Sequence, residues 1–153
     1  MSRVIFMCGP AGAGKTTYAR RLECEGMTRL SFDVETWQHG MATMPLPPDV
    51  RDEIEAGLRV RLLELVAAGA DVVLDFSFWS RRMRDDYRTL LAPTGVVPET
   101  VYLATDRATV LSRVRNRRGS HPDDVVLTEE LAAGYFDGFE PPTADEGPLT
   151  VIR

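Results

Sequence analysis

Lysine is almost absent from this chain: Lys15 stands alone against seventeen arginines. The replacement reads as a genomic composition bias and carries no stability argument, but it makes the one retained lysine informative. Cys8 and Cys24 are the only cysteines, which excludes a disulfide framework. The two histidines, His39 and His121, read as surface residues, and no His/Cys/Asp cluster has zinc spacing. Neither a G-x-S-x-G elbow nor a Cys–His pair is present. Apolar runs such as "ELVAAGA" and "VVL" fall far short of the ~20 residues that a membrane span needs. The opening "MSRVIFMCG" lacks a cleavable signal pattern. The expected setting is cytoplasmic, with no membrane partner.

A net charge of −5 argues against an extended nucleic-acid surface. The charge is unevenly placed. Five arginines fall between Arg107 and Arg118, while eight acids and no base lie between Asp123 and Glu146. A basic segment in an acidic chain suits a local phosphate contact; solvated helix faces are the plain alternative.

What is present alternates. "RVIFMC", "TRLSF", "ADVVLDF", "ETVYLAT" and "LTVIR" are five strand candidates, separated by helical patterns. The second strand is expected to run to Phe32 and end at Asp33. Ile54, Leu58, Leu62 and Leu65 recur at helical spacing within Asp49 to Ala68. Thr105 is a candidate cap for a helix over Arg107–Arg117, and Thr128 for a later one. Residues 34–48 read as irregular or a short helix, punctuated by Pro45, Pro47 and Pro48. No repeat or linker divides the chain, so 1–153 is expected to be one α/β domain. Its expected architecture is three-layer: about five mostly parallel strands, helices on both faces, and an arginine-bearing lid.

"GPAGAGKTT" matches G-x-x-x-x-G-K-[ST] through Gly9, Gly14, Lys15 and Thr16. A strand precedes it and a helix begins at the lysine. Glycines 9, 12 and 14 let the backbone turn its N–H groups inward as a phosphate cradle, and the helix N-terminus adds partial positive charge. The candidate nucleotide ligands are Gly9, Gly12, Ala13, Gly14, Lys15, Thr16 and Thr17. Lys15 is a compact charge on a flexible stem, able to reach the β- and γ-phosphates where the planar fork of arginine would not fit. Thr16 places a hydroxyl where Mg²⁺ shared with those phosphates would sit.

Ligands of open parallel sheets bind beyond the carboxyl ends of the strands. Asp75, after "VVL", has the setting of a Walker B carboxylate directed at the metal, or else of a turn residue. Asp33 has the position of a base for an attacking hydroxyl, or else of an N-cap for "VETWQHG". Arg113 and Arg117 are expected to share a helix face and to clamp the transferring phosphoryl group, with Arg118 nearby and "RRGSHPDDV" as hinge. Trp37, His39, Met41, Met44, Phe78 and Trp79 are candidates for an acceptor pocket, against the alternative of ordinary core.

Together, "GPAGAGKTT", "SFDVETW", "VVLDFSFWSRRMRDDYR", "RATVLSRVRNRRG" and "FEPPTADEG" resemble the small P-loop kinases of the AAA-type ATP-binding group. That group includes chloramphenicol phosphotransferase, the zeta toxins and the kinase domain of polynucleotide kinase. The resemblance implies ATP·Mg²⁺-dependent phosphorylation of a hydroxyl, with a nucleoside triphosphate and a hydroxyl-bearing acceptor as partners. By position it makes Lys15 and Thr16 phosphate and metal ligands, Asp33 the general base, and Arg113 and Arg117 the lid arginines. Relatives carry an arginine or asparagine shortly after the base; "DVETWQHG" has no arginine there. Arg81, Arg84 and Arg88 are the substitutes considered, beside a solvated helix face. A 5′-hydroxyl polynucleotide kinase and a non-catalytic ATP-binding switch are the alternatives. Oligomeric state is open.

Overall fold

"VIFMC" is apolar at every position, which suits a strand covered on both faces. Val4–Cys8 forms β1 at the centre of the sheet, with all its residues buried. The computed structural model describes residues 2–41, 46–119, 122 and 126–153. After β1 come α1 (Lys15–Cys24), β2 (Thr28–Ser31), α2 (Phe32–Gln38), α3 (Pro48–Ala67) and β3 (Val72–Asp75). Then follow α4 (Arg81–Leu91), β4 (Glu99–Leu103), α5 (Arg107–Arg115), α6 (Glu129–Asp137) and β5 (Leu149–Ile152). The strands pair in parallel in the order β2-β3-β1-β4-β5. This is the expected α/β architecture.

Alternation along β1 splits the core into two layers. Val4, Phe6 and Cys8 face Ile54, Leu58 and Leu62 of α3 and Tyr87 and Leu91 of α4. Ile5 and Met7 face Ala19 and Leu22 of α1 on the other side. A smaller cluster of Val114, Leu127 and Ala132 packs against Ala11 and so joins α5 and α6 to the loop after β1. The chain leaves β1 toward β2 and β3, then crosses from β3 to β4 on the opposite side. The crevice opened by that reversal lies at the carboxyl end of β1, where the glycine loop begins.

Several boundaries differ from the sequence expectation, each for a local reason. The strand "TRLSF" ends at Ser31, because the Ser31 hydroxyl accepts the Val34 N–H at 3.2 Å and opens α2. Asp33 therefore lies in the first turn of a helix, where the dipole favours its negative charge. Thr105 does not cap α5. Asp106 does, accepting the Thr109 N–H at 3.0 Å. The Thr105 hydroxyl instead donates to the Ala13 carbonyl at 2.7 Å. Helix α5 stops at Arg115, so Arg113 and Arg117 do not share a helix face. Thr128 caps α6 as expected, accepting the Leu131 N–H at 3.1 Å.

The arginines of α4 also have a different task from the one considered above. Arg84 is fully buried and donates to the Phe78 carbonyl and to Glu146 Oε1, both at 2.8 Å. Arg88 donates to the same Glu146 oxygen at 3.1 Å, and Arg81 pairs with Asp145 at 3.0 Å. All three tie the segment before β5 onto α4, and none of them is among the residues that line the cleft described below. Burial opposes ionisation of Glu146, but hydrogen bonds from Arg84 and the Thr143 N–H, with the charge of Arg84 and a bond from Arg88, hold its carboxyl down at about 2.

A depressed folded-state value stabilises the protein fully above the ordinary carboxylate range and loses that contribution as pH falls toward 2. Glu146→Gln leaves the buried Arg84 without its counter-charge and is expected to cost about 3 kcal/mol at pH 7. The difference from wild type should shrink steadily between pH 4.5 and pH 2. Urea titrations at several pH values check this; a difference independent of pH would count against it.

Candidate active site

Residues Gly9 to Gly14 connect a buried strand to the first turn of α1, and the backbone there can turn only where side chains are missing. Gly12 and Gly14 have φ of 87° and 102°, in the left-handed region. A Cβ on Gly12 would stand 2.7 Å from the Val110 carbonyl oxygen of α5, so this position also needs glycine for close approach. The loop is braced from outside at several points. The Gly9 N–H donates to the Ser77 carbonyl at 3.1 Å. Thr105 holds the Ala13 carbonyl, and Arg113 Nη1 donates to the Gly12 carbonyl at 3.1 Å. With its outward carbonyls taken by neighbours, the loop has a fixed shape before any anion arrives.

Lys15 is half-buried, and its Nζ donates to the Pro10 carbonyl at 3.3 Å across the loop. Burial lowers its pKa below the ordinary lysine range; Asp75 and Asp33 oppose that shift, and Arg117 adds to it. The next residue, Thr16, donates from Oγ1 to Asp75 Oδ2 at 3.0 Å. Asp75 is reached across the sheet by Arg29 of β2, whose Nη2 and Nε lie 2.8 and 3.1 Å from the same oxygen. Both partners are buried, with side chains 8% and 3% exposed. A hydroxyl and a carboxylate side by side are hard oxygen donors. One or two protein oxygens completed by phosphate and water suit Mg²⁺. Among the described residues no cluster of three or more His, Cys, Asp or Glu could hold a metal by itself.

Arg29 was not among the sequence candidates. The signal was an arginine inside the short strand "TRLS", where a charge needs a buried partner.

Beyond the loop lies a cleft of about 540 Å³ that Lys15, Asp33, Asp75 and Arg117 all line. Its walls come from Phe32 of α2, Arg51, Glu55 and Arg59 of α3, the Phe76–Ser80 turn, Arg82, Met83 and Asp86 of α4, and Tyr135 and Phe139 near α6. Arg59 lies over the Tyr87 ring, 4.7 Å from its centroid, and pairs with Glu55 at 3.3 Å, which stiffens the α3 wall. Of the proposed acceptor residues, only Trp79 lines this cleft. Phe78 is fully buried, stacked on Phe6 with ring centroids 4.3 Å apart. Trp37, His39 and Met41 lie outside it. Met44 and His121 fall outside the described residues, as do Pro45 and part of the expected "RRGSHPDDV" hinge.

The three candidate lid arginines are dispersed. Arg113 braces the loop from behind, Arg117 lines the cleft, and Arg118 Nη1 donates to the Arg115 and Arg117 carbonyls at 3.2 and 3.3 Å. Thr17 is exposed on α1, one residue past Thr16. The Cys8 thiol lies under the site, and burial pushes its pKa up to about 11, so it stays protonated and unreactive at neutral pH.

The turn after β3 is the strained part of the site. Phe78 has φ of 48°, the only non-glycine residue in the left-handed region among those described. Such a residue costs on the order of 1–3 kcal/mol and persists only where its surroundings impose it. Arg84 Nη1 imposes it through the Phe78 carbonyl, and Cys8 Sγ donates to that same oxygen at 3.4 Å. The next carbonyl, of Trp79, accepts the Glu140 N–H at 2.8 Å, and the Ser80 hydroxyl caps α4 through the Met83 N–H.

The model of a family described as an AAA domain matches residues 4–142. The chain is 28% identical over 156 residues to a probable gluconokinase of Schizosaccharomyces pombe, covering 97% of this chain and 78% of that protein. A putative kinase from Chloroflexus aurantiacus shares the fold with a TM-score of 0.77 at 18% identity, over 99% of this chain and 87% of that one. A chain in the Pnkp1/Rnl/Hen1 complex shares it with a TM-score of 0.68 at 16% identity, over 73% of this chain. The present chain spans only 38% of that longer one. No described helix is long and apolar enough to cross a membrane.

Replacing Arg29 by Met should strand the buried Asp75 charge and cost about 3–5 kcal/mol of stability. Adding Asp75→Leu to Arg29→Met should recover much of that loss, because both charges are then gone. Urea unfolding of the two single variants and the double variant measures the coupling; additive losses would refute the pairing.

Proposed function

Since this chain belongs to the AAA-domain family and has a P-loop kinase-like fold, we propose that it transfers the γ-phosphoryl group of ATP to a hydroxyl of a small-molecule acceptor. The observation that carries this reading is the shared cleft: Lys15 of the loop, Asp75 beside Thr16, and Asp33 of α2 all open onto one volume. Likeness to a probable gluconokinase supports a small acceptor.

The glycine loop and the α1 N-terminus bind the triphosphate, and Lys15 moves from the Pro10 carbonyl onto the β- and γ-phosphates. Thr16 and Asp75 are the residues that would hold Mg²⁺, which when bound neutralises charge on the phosphate oxygens. Asp33 accepts the proton of the acceptor hydroxyl as its oxygen bonds to the γ-phosphorus. The bond from that phosphorus to the β,γ-bridging oxygen breaks, and ADP leaves. Arg117, on the same cleft, balances charge on the transferring group. Arg113 acts indirectly by keeping the loop in shape. Water would be the competing nucleophile. The turn after Asp75 carries Phe76, Ser77 and Phe78, with no carboxylate to orient it.

Release of ADP from Mg·ATP is measured over a panel of hydroxyl compounds that includes gluconate, glycerol, nucleosides and aryl alcohols. Wild type should be stimulated by one class. Asp33→Asn should lose 10²–10⁴-fold of that stimulated rate with nucleotide affinity retained, while Lys15→Ala should lose nucleotide affinity itself. Tight nucleotide binding with no stimulation by any compound would instead favour an ATP-binding switch.

A further inference from the structure

The exposed large apolar side chains among the described residues are Val60, Trp79, Val97, Tyr135 and Val151. Only two are aromatic, and both line the cleft that holds Asp33 and Lys15. Trp79 is 54% exposed and Tyr135 is 39% exposed. An indole that served only the core would be covered, as Phe76 and Phe78 next to it are. This one sits at the mouth of a concave site.

Its position is imposed. The left-handed Phe78 turns the chain so that the Phe78 ring enters the core while the following side chain points out. Hydrogen bonds fix the carbonyls on both sides of that turn, Phe78 to Arg84 and Trp79 to Glu140, and α4 begins two residues later. Tyr135 belongs to α6, whose neighbour Phe139 is stacked on Tyr102 with centroids 5.7 Å apart. Two aromatic side chains on fixed backbones therefore face one volume. Phe32, Phe76, Met83 and Phe139 add apolar surface to the same cleft, between its charged residues. An open-chain polyol would leave that apolar surface uncovered. A flat ring would cover it.

We infer that Trp79 and Tyr135 form a stacking platform for the acceptor, and that the phosphorylated hydroxyl is carried by a molecule with a planar aromatic ring, such as a nucleoside or an aryl alcohol. The inference rests on the phosphotransfer reading and narrows its substrate class. The ring lies on the platform at the cleft mouth, and its hydroxyl-bearing arm reaches inward to Asp33. Arg82 at the wall supplies a cation for a polar substituent on the ring.

Trp37 and Trp79 are the only tryptophans, so Trp37→Phe leaves the platform as the sole indole emitter. Without nucleotide, thymidine, adenosine and an aryl alcohol should change its emission on titration, while gluconate and glycerol should not. In turnover, Trp79→Ala should raise KM for the ring-bearing acceptor about tenfold, leaving kcat and the KM for ATP near wild type, and Trp79→Phe should restore most of the loss. Equal turnover of gluconate, unaffected by Trp79→Ala, would overturn the inference. So would indole emission that responds to ATP and to no acceptor. Emission changes with ring compounds but no phosphorylation of any of them would support the platform and defeat the phosphotransfer reading, so the two failures are distinguishable.

Discussion

A guanidinium with no access to water must find its partners inside the protein, and much of the site depends on how Arg84 does so. Its donors reach one main-chain oxygen, that of Phe78, one carboxylate, that of Glu146, and the Cys8 sulfur at 3.9 Å. The first contact holds a phenylalanine in a conformation that it would otherwise leave. The second draws the segment before β5 against α4. Between these contacts runs the turn whose Ser77 carbonyl receives the first N–H of the glycine loop. A single buried cation thus links the C-terminal segment, the turn after β3 and the base of the phosphate cradle. Replacing such a group with an apolar one can leave stability unchanged, but an apolar group could not hold a carbonyl in place.

Preorganisation continues in the second layer of contacts. The carbonyls of Gly12 and Ala13 are held by side chains from α5 and the loop before it, and packing of Val110 against Gly12 leaves no room for a Cβ. Asp75 is held from two directions through one oxygen, by Thr16 and by Arg29. Each of these groups is oriented by a neighbour before a ligand enters, so little ordering remains to be done on binding.

The parts of this arrangement that could be read from sequence are those in which geometry demands particular residues at fixed local spacing. The glycine loop needs glycines at 12 and 14, lysine at 15 and a hydroxyl at 16, and each is where the motif puts it. The alternating apolar runs likewise led to a five-stranded parallel sheet. Local competition was harder to read. Ser31 and Thr105 both carry a hydroxyl near a helix start, yet one caps a helix and the other braces the phosphate loop, because Asp106 wins the cap. Contacts between distant segments were not legible at all. Nothing near Arg84 announces Glu146, which lies 62 residues away. "FSFW" does not reveal that its second phenylalanine turns inward and its tryptophan outward, because that depends on the same distant pair. The cleft walls therefore come from α2, α3, α4, α6 and the turn after β3, and of the residues expected at an acceptor pocket only Trp79 is among them.

The solitary lysine has a practical corollary. Amine-directed reagents ordinarily decorate a protein surface at many places, but this chain offers them one side chain and that side chain lies at the phosphate loop. Burial disfavours its charged form, in contrast to a lysine in open solvent. Beyond the α-amino group, this protein therefore offers lysine-directed reagents a single site, at that loop.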